Sequence, residues 1–134
     1  MISIVNIPND LLFAQTHEWV RHGDDGQYWV GISNHAQGAL GDILFLKLPE
    51  LGSSLKQGQA CATIESLKAA SDIHAPISGI ISQINIAAVE KPESINTQPY
   101  DVWLFKIQTK DEALSVNELA LLQSVNQYES GVSG

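Results

Sequence analysis

The chain is 134 residues long, with seven Lys plus Arg against fifteen Asp plus Glu, a formal net charge of -8 and a pI near 4.7. Its acidic residues are scattered from Asp10 to Glu129 and no clustered basic face is legible, which excludes nucleic acid and anionic membrane surfaces as partners. A single domain of this length buries roughly two thirds of its unfolded surface and folds without staples, while the lone Cys61 excludes an intrachain disulfide, a CxxC pair and a cysteine metal cluster.

The N-terminal stretch "MISIVNIPNDLLFAQ" has neither the basic region of a signal peptide nor the arginines of a transit peptide, and no apolar run reaches the roughly 18 to 20 residues of a membrane span. The expectation is a cytoplasmic bacterial protein, with a processed mitochondrial one as the alternative. Short runs rich in Val, Ile, Leu, Phe and Trp then recur: "QYWVGI" (27–32), "DILFLKL" (42–48), "QACATIE" (59–65), "GIISQINI" (79–86) and "VWLFKIQ" (102–108). The intervening segments are dense in Gly, Pro, Ser and Asn, as turns require, and this spacing predicts an all-β sandwich or barrel.

Two helical segments are predicted. "NHAQGALG" (34–41) has Asn34 as N-cap and Gly41 as its stop. "SVNELALLQSVNQY" (115–128) places Val116, Leu119, Leu122 and Val125 three apart, with Ser115 and Glu118 as a capping box. The whole chain, 1–134, is expected to be one domain, with 129–134 as a flexible tail.

The segment "ATIESLKAASDIHAPISGII" (62–81) puts Lys68 near the tip of a strand, turn, strand unit. Three roles fit an amine there. It can be a solvated surface charge, an enzymatic lysine forming a Schiff base, or an attachment point. An enzymatic lysine needs burial or a neighbouring cation. The nearest ionisable residues in sequence are instead Glu65 and Asp72. An attachment point needs an exposed amine on a firm backbone with small neighbours, which Ala69, Ala70 and Ser71 supply. That reasoning does not choose the group attached.

"IESLKAASDIHAPISG" resembles the lipoyl-attachment segment of glycine cleavage system H proteins, whose usual form reads ESVKAxSDxxxPxSG. Glu65, Ser66, Lys68, Ala69, Ser71, Asp72, Pro76, Ser78 and Gly79 fill its places, with Leu67 for Val. Biotin carriers usually flank the lysine with methionines, and lipoyl domains of 2-oxoacid dehydrogenases commonly put Asp before it; this chain has Leu67 there and Met1 as its only Met. "THEWV" (16–20), "VGISNHAQGALGDILFLKLPELG" (30–52), "KPESIN" (91–96), "PY" (99–100) and "WLFKI" (103–107) extend the resemblance, in order, over about residues 11–128. The chain departs from the family at "PYDVW", which has two residues between Tyr100 and Trp103 and lacks the family's glycine.

The resemblance implies a barrel-sandwich hybrid of the lipoyl and biotinyl carrier type, with short helices near residue 34 and at the C-terminus. It implies a monomeric, non-catalytic carrier with lipoate on Lys68. The arm would take an aminomethyl group from the pyridoxal-phosphate (PLP) glycine decarboxylase to the tetrahydrofolate-dependent aminomethyltransferase, and dihydrolipoamide dehydrogenase would reoxidise it. A lipoate ligase, or a lipoyl or octanoyl transferase, would modify Lys68, with Glu65 and Gly79 as its recognition points. Thr16, Glu18 and Asp72 would shelter the loaded arm in a cleft, where carboxylates can pair with the aminomethyl nitrogen. An H-like relay passing lipoyl groups to 2-oxoacid dehydrogenases is the alternative, motivated by "PYDVW". His17, His22, His35 and His74 lack metal-ligand spacing and no metal is expected. Trp19, Trp29 and Trp103 are expected in the core, Trp19 also beside the cleft, and Cys61 as a buried inert thiol.

Overall fold

Apolar alternation builds two antiparallel sheets in the computed structural model, which describes residues 6–133; Met1–Val5 and Gly134, the two ends of the expected domain, lie outside the described residues. The strands are β1 (Leu12–Phe13), β2 (Glu18–His22), β3 (Tyr28–Ile32), β4 (Ile43–Lys47), β5 (Ser54–Leu55), β6 (Ala60–Ser66), β7 (Ala70–His74), β8 (Gly79–Ile84) and β9 (Phe105–Gln108). One sheet has six strands in the order β1-β2-β3-β9-β8-β5 and the other three, β4-β6-β7. Neither closes into a barrel. The two face each other across Val30, Ile64, Ile73, Ile81, Phe105 and Ile107, all buried, as a barrel-sandwich hybrid requires.

All five predicted strand segments are strands. β1, β2 and β5 were not read from the sequence, the first and last being two residues long. The segment expected over 102–108 pairs only from Phe105, because the amides of Asp101 and Val102 both donate to Gln98 O, at 3.1 and 3.0 Å, and hold the chain in a turn. "PYDVW" thus closes without the family's glycine. Tyr100 and Trp103 still reach the packing, with Tyr100 buried and the Trp103 ring tilted against Trp29 at 5.7 Å between centres.

Helix α1 spans Asn34–Leu40, but Ser33 caps it, its hydroxyl accepting from Ala36 N at 3.1 Å; Asn34 instead gives its amide to Tyr100 Oη. Short helices α2 (Ile86–Glu90) and α3 (Ser94–Thr97) follow β8. The single C-terminal helix expected over 115–128 is two, α4 (Glu112–Ala120) and α5 (Val125–Ser133). Phe13 and Gln123 exchange backbone hydrogen bonds of 2.8 Å in each direction, which fixes residue 123 as extended and breaks the helix. The real capping box is Ser124 with Gln127, whose side chain returns to Ser124 N at 2.9 Å. Asp111 caps α4, while Ser115 lies inside the helix and the Glu118 carboxylate takes Ser78 N and Oγ at 2.8 and 2.6 Å. Residues 129–133 continue α5 through part of the stretch expected as a tail.

A second apolar cluster of Leu11, Phe13, Trp19, Tyr100 and Tyr128 ties α5 to the β1–β2 edge. Trp19 is wholly buried as expected, whereas Trp29 and Trp103 are half-buried and bracket Lys106. The Lys106 ammonium lies 3.9 and 4.8 Å from their ring centres and 2.8 Å from Asp25 Oδ2. The Lys106 hydrogen bond first, and that of Trp29 second, hold the Asp25 carboxyl down at about 2. A carboxyl depressed on folding stabilises above its unfolded pKa, and that contribution disappears as pH falls through the folded value. The stability gap between the wild type and Asp25→Asn is therefore expected to be full at pH 6 and to vanish between pH 4 and 2, as read by urea unfolding at each pH. A gap that stays constant across that window would refute the pairing.

Candidate functional site

The β6–β7 hairpin presents Lys68. Its strands pair from Ala60↔His74 to Glu65↔Ala70, and Ser66 N donates to Ala69 O at 2.8 Å to close the tip. The Ser66 hydroxyl accepts the amides of Lys68 and Ala69, each at 3.2 Å, so one side chain satisfies the donors of the turn. Leu67 and Lys68 are both exposed at the apex. The Lys68 stem crosses Gly41, the C-terminal stop of α1, where φ is +80 and a Cβ would stand 2.9 Å from Lys68 Cε. Glycine there meets both the left-handed backbone and the passage of the lysine. The exposed amine therefore sits on a two-strand support backed by a helix end.

Along β7 the side chains alternate: Ile73 enters the core, and Asp72 and His74 take the outer face. β6 does the same, with Ala62 and Ile64 inward and Cys61, Thr63 and Glu65 outward. A groove of about 210 Å³ lies on this outer face, between Lys47 and Leu48 on one side and Cys61, Thr63 and Asp72 on the other. Cys61 differs from its expected burial. A register shift between Ala60 and Ala62 leaves it half-buried at the groove, its thiol donating to Ile73 O at 3.5 Å. Burial first, then the nearby Glu18 charge, pushes that thiol up to about 12, so the thiolate is scarce near neutrality.

Glu18 is the most deeply placed carboxylate of the site, 1% exposed at the start of β2. A tight turn brings it there: Ala14 N donates to Glu18 O at 2.9 Å, His17 N to Ala14 O at 3.0 Å, and His17 takes φ +78, which a non-glycine residue adopts only under constraint. The Thr16 hydroxyl donates to Glu18 Oε1. The other oxygen, Oε2, accepts from His74 N at 2.8 Å and pairs with His74 Nδ1 at 3.3 Å. Burying a carboxylate is expensive unless it is hydrogen-bonded, and these contacts reach both oxygens with no Lys or Arg beside them among the described residues.

Thr16 and Glu18 thus meet directly. Asp72 stands two positions nearer the hairpin tip on the same face as His74, exposed and with no ion pair of its carboxylate among the described residues. Glu65 is exposed on β6 opposite Ala70, close to the tip. Gly79 is not at the tip: it opens β8, buried, and a Cβ there would fall 2.5 Å from Gln108 O and from Ile107 Cγ2. Its glycine is demanded by close approach to β9. His74 has no role in the sequence reading beyond the absence of metal spacing, although strand alternation in "SDIH" puts it on the face of Asp72.

Behind Glu18 lies a polar knot. Tyr128 Oη is 2.6 Å from both His17 Nδ1 and Ser33 Oγ, and its ring stacks on Phe13 at 4.1 Å. The exposed His35 lies against His17 at 4.7 Å between rings. Burial, then the charge of His35, lowers the pKa of His17. A cavity of about 220 Å³ adjoins Thr16 and His74 and has apolar walls from Ala14, Pro76, Leu121 and Leu122. A wider cavity of about 480 Å³ under α4 includes no residue of the β6–β7 hairpin. Among the described residues no cluster of three His, Cys, Asp or Glu is placed to hold a metal, and no helix is long and apolar enough to cross a membrane.

Comparison with known proteins adds three findings. The profile of the family described as "Glycine cleavage H-protein" matches residues 11–133. Proteins named glycine cleavage system H protein are 55% identical over 103 residues in Polynucleobacter necessarius, covering 77% of this chain and 69% of the relative, and 47% identical over 126 residues in Cronobacter sakazakii, covering 93% and 95%. The crystal structure of a glycine cleavage system H protein from Mycobacterium marinum superposes with a TM-score of 0.81 at 36% identity, covering 96% of this chain and 100% of that one.

Proposed function

The chain belongs to the glycine cleavage H-protein family, and from that membership we propose that it is the lipoyl carrier of a glycine cleavage system with Lys68 as the point of attachment. The observation that carries the assignment is the exposed amine on a hairpin tip braced by Ser66, within a segment that resembles the family's attachment motif at every place but Leu67. The residues suit lipoate. Its carboxyl would join the Lys68 amine as an amide, and its aliphatic chain would find a groove along the outer face of β6 and β7. From Lys68 to His74 the strand runs at most about 20 Å, and a lysine side chain extended by lipoate is roughly that long at ordinary bond lengths.

When bound, the lipoyl group would supply the sulfur that carries the aminomethyl group from one enzyme to the next. The chain's own residues tether and shelter. Lys68 positions the arm, Asp72 lies along its path, and Thr16 and Glu18 form a carboxylate site at its far end, suited to a cationic amine. No catalysis is assigned to this chain. The partners that follow are the PLP-dependent glycine decarboxylase, the aminomethyltransferase and dihydrolipoamide dehydrogenase. The modifying enzyme would read Glu65 beside the tip, while Gly79 would act through the packing of β8. The relay alternative rested on "PYDVW", and the turn at Gln98 accommodates that departure while keeping Tyr100 and Trp103 packed.

The test is intact mass with peptide mapping after expression in lipoate-replete cells, followed by glycine cleavage with purified partners. A lipoyl increment confined to Lys68 and turnover comparable to a standard H protein are expected. An unmodified Lys68 would overturn the carrier reading, and a lipoylated chain without turnover would move it to another lipoate pathway.

A further inference from the structure

The Glu18 carboxylate is buried in an acidic protein with no lysine or arginine partner among the described residues, and the group occupying its Oε2 side is His74. The two contacts from His74 differ in kind. The backbone amide, at 2.8 Å, is fixed by the β7 pairing, whereas the ring, at 3.3 Å, is held only by its side-chain torsions. The ring is also less covered than the carboxylate, with 29% of the His74 side chain exposed against 1% for Glu18. It borders the cavity of about 220 Å³ whose walls are mostly apolar, so there is room beside it. A neutral imidazole can donate to a carboxylate from Nδ1 only as the Nδ1–H tautomer, and in that form it uses the lone-pair direction that an incoming amine would need.

We propose that the His74 ring is the resting occupant of the Glu18 carboxylate and leaves it when the amine of the carried group arrives, so that docking of the loaded arm and displacement of His74 are one event. The inference rests on the reading of Glu18 as the cargo site. The backbone amide of His74 and the Thr16 hydroxyl stay in place through the exchange, so Glu18 never loses all its donors. His74 is a positioning residue: it keeps the buried carboxylate satisfied while the arm is outside and gives way to one chemical class of visitor, a hydrogen-bond-donating cation.

Two measurements test it. The first is 15N NMR of histidine-labelled, lipoylated protein before and after loading with glycine and the decarboxylase. The His74 Nδ1 resonance is expected to move from that of a hydrogen-bonded donor to that of a free ring. The second is the lifetime of the carried group against spontaneous hydrolysis. His74→Phe, which removes the competing donor, is expected to lengthen it about two- to tenfold, the range commanded by one net hydrogen bond; Glu18→Gln is expected to shorten it. A lifetime unchanged by Glu18→Gln would sink the cargo site itself and this inference with it. A lifetime shortened by Glu18→Gln, with the His74 resonance unmoved on loading, would overturn the displacement alone. The resonance decides the matter in the wild type if His74→Phe fails to fold.

Discussion

Lys68→Arg is expected to yield a folded protein that carries no lipoate and supports glycine cleavage only at the background of the assay. Arginine keeps the positive charge and much of the length of lysine, but its guanidinium is not deprotonated in proteins and cannot form the amide. The side chain is exposed at the apex, and the turn beneath it is held by Ser66 and by backbone groups. Stability should therefore change by less than about 0.5 kcal/mol, as for other surface replacements. Intact mass, urea unfolding and the reconstituted assay, run on one preparation, separate loss of tether from loss of fold. Retained turnover in the unmodified variant would refute the assignment of Lys68.

Trp19→Ala is expected to act in the opposite way, on the fold and through it on the site. The indole is fully buried against Gly31, where a Cβ would fall 2.3 Å from its ring, and its N–H donates to Pro99 O at 2.9 Å. Truncation leaves a cavity whose far wall is backbone, plus an unpaired carbonyl. A loss of about 3–5 kcal/mol is the usual range for large aromatics. Domains of this kind commonly have only about 5–15 kcal/mol in total. Urea unfolding reads the loss. Trp103→Phe, in a half-buried pair with Trp29, should lose less than half as much. A Trp19→Ala loss below about 1 kcal/mol would mean that the β2–β3 pair closes over the gap.

Much of the fold was legible where the local pattern and the tertiary structure agree. Strands β3, β4, β6 and β8 follow their apolar runs within one or two residues, and the Lys68 hairpin follows from the turn chemistry on either side of it. The errors fall where distant residues decide. Periodicity carried a helix from 115 to 128, but Gln123 is recruited as a bridge partner by Phe13, more than a hundred residues away. Asn34 and Ser33 are both good caps in isolation, and Tyr100 resolves them by taking the Asn34 amide. At the site, Lys68 was legible as one candidate attachment point from its turn and small neighbours, whereas the group it carries and the roles of Thr16, Glu18 and Asp72 were readable only through family resemblance. Nothing local says that Glu18 will be buried or that His74 will face it, because that meeting depends on how the three-stranded sheet is laid over the β1–β2 turn.

The pairing pattern also fixes an order of events during synthesis. The β6–β7 hairpin joins neighbours in sequence, so its closure entropy is small and it can form once residue 74 has left the ribosome. The six-stranded sheet is different, since β3 has β9 for its inner neighbour and cannot be completed until residue 108 emerges. The nascent chain therefore holds the finished Lys68 hairpin beside an unfinished sheet whose β3 edge is still open. Non-local pairing of this kind is the slow step of folding and the one exposed to edge-to-edge association. Slower translation between residues 74 and 108 would lengthen that interval, and the yield of soluble protein would register it before any change in the tether.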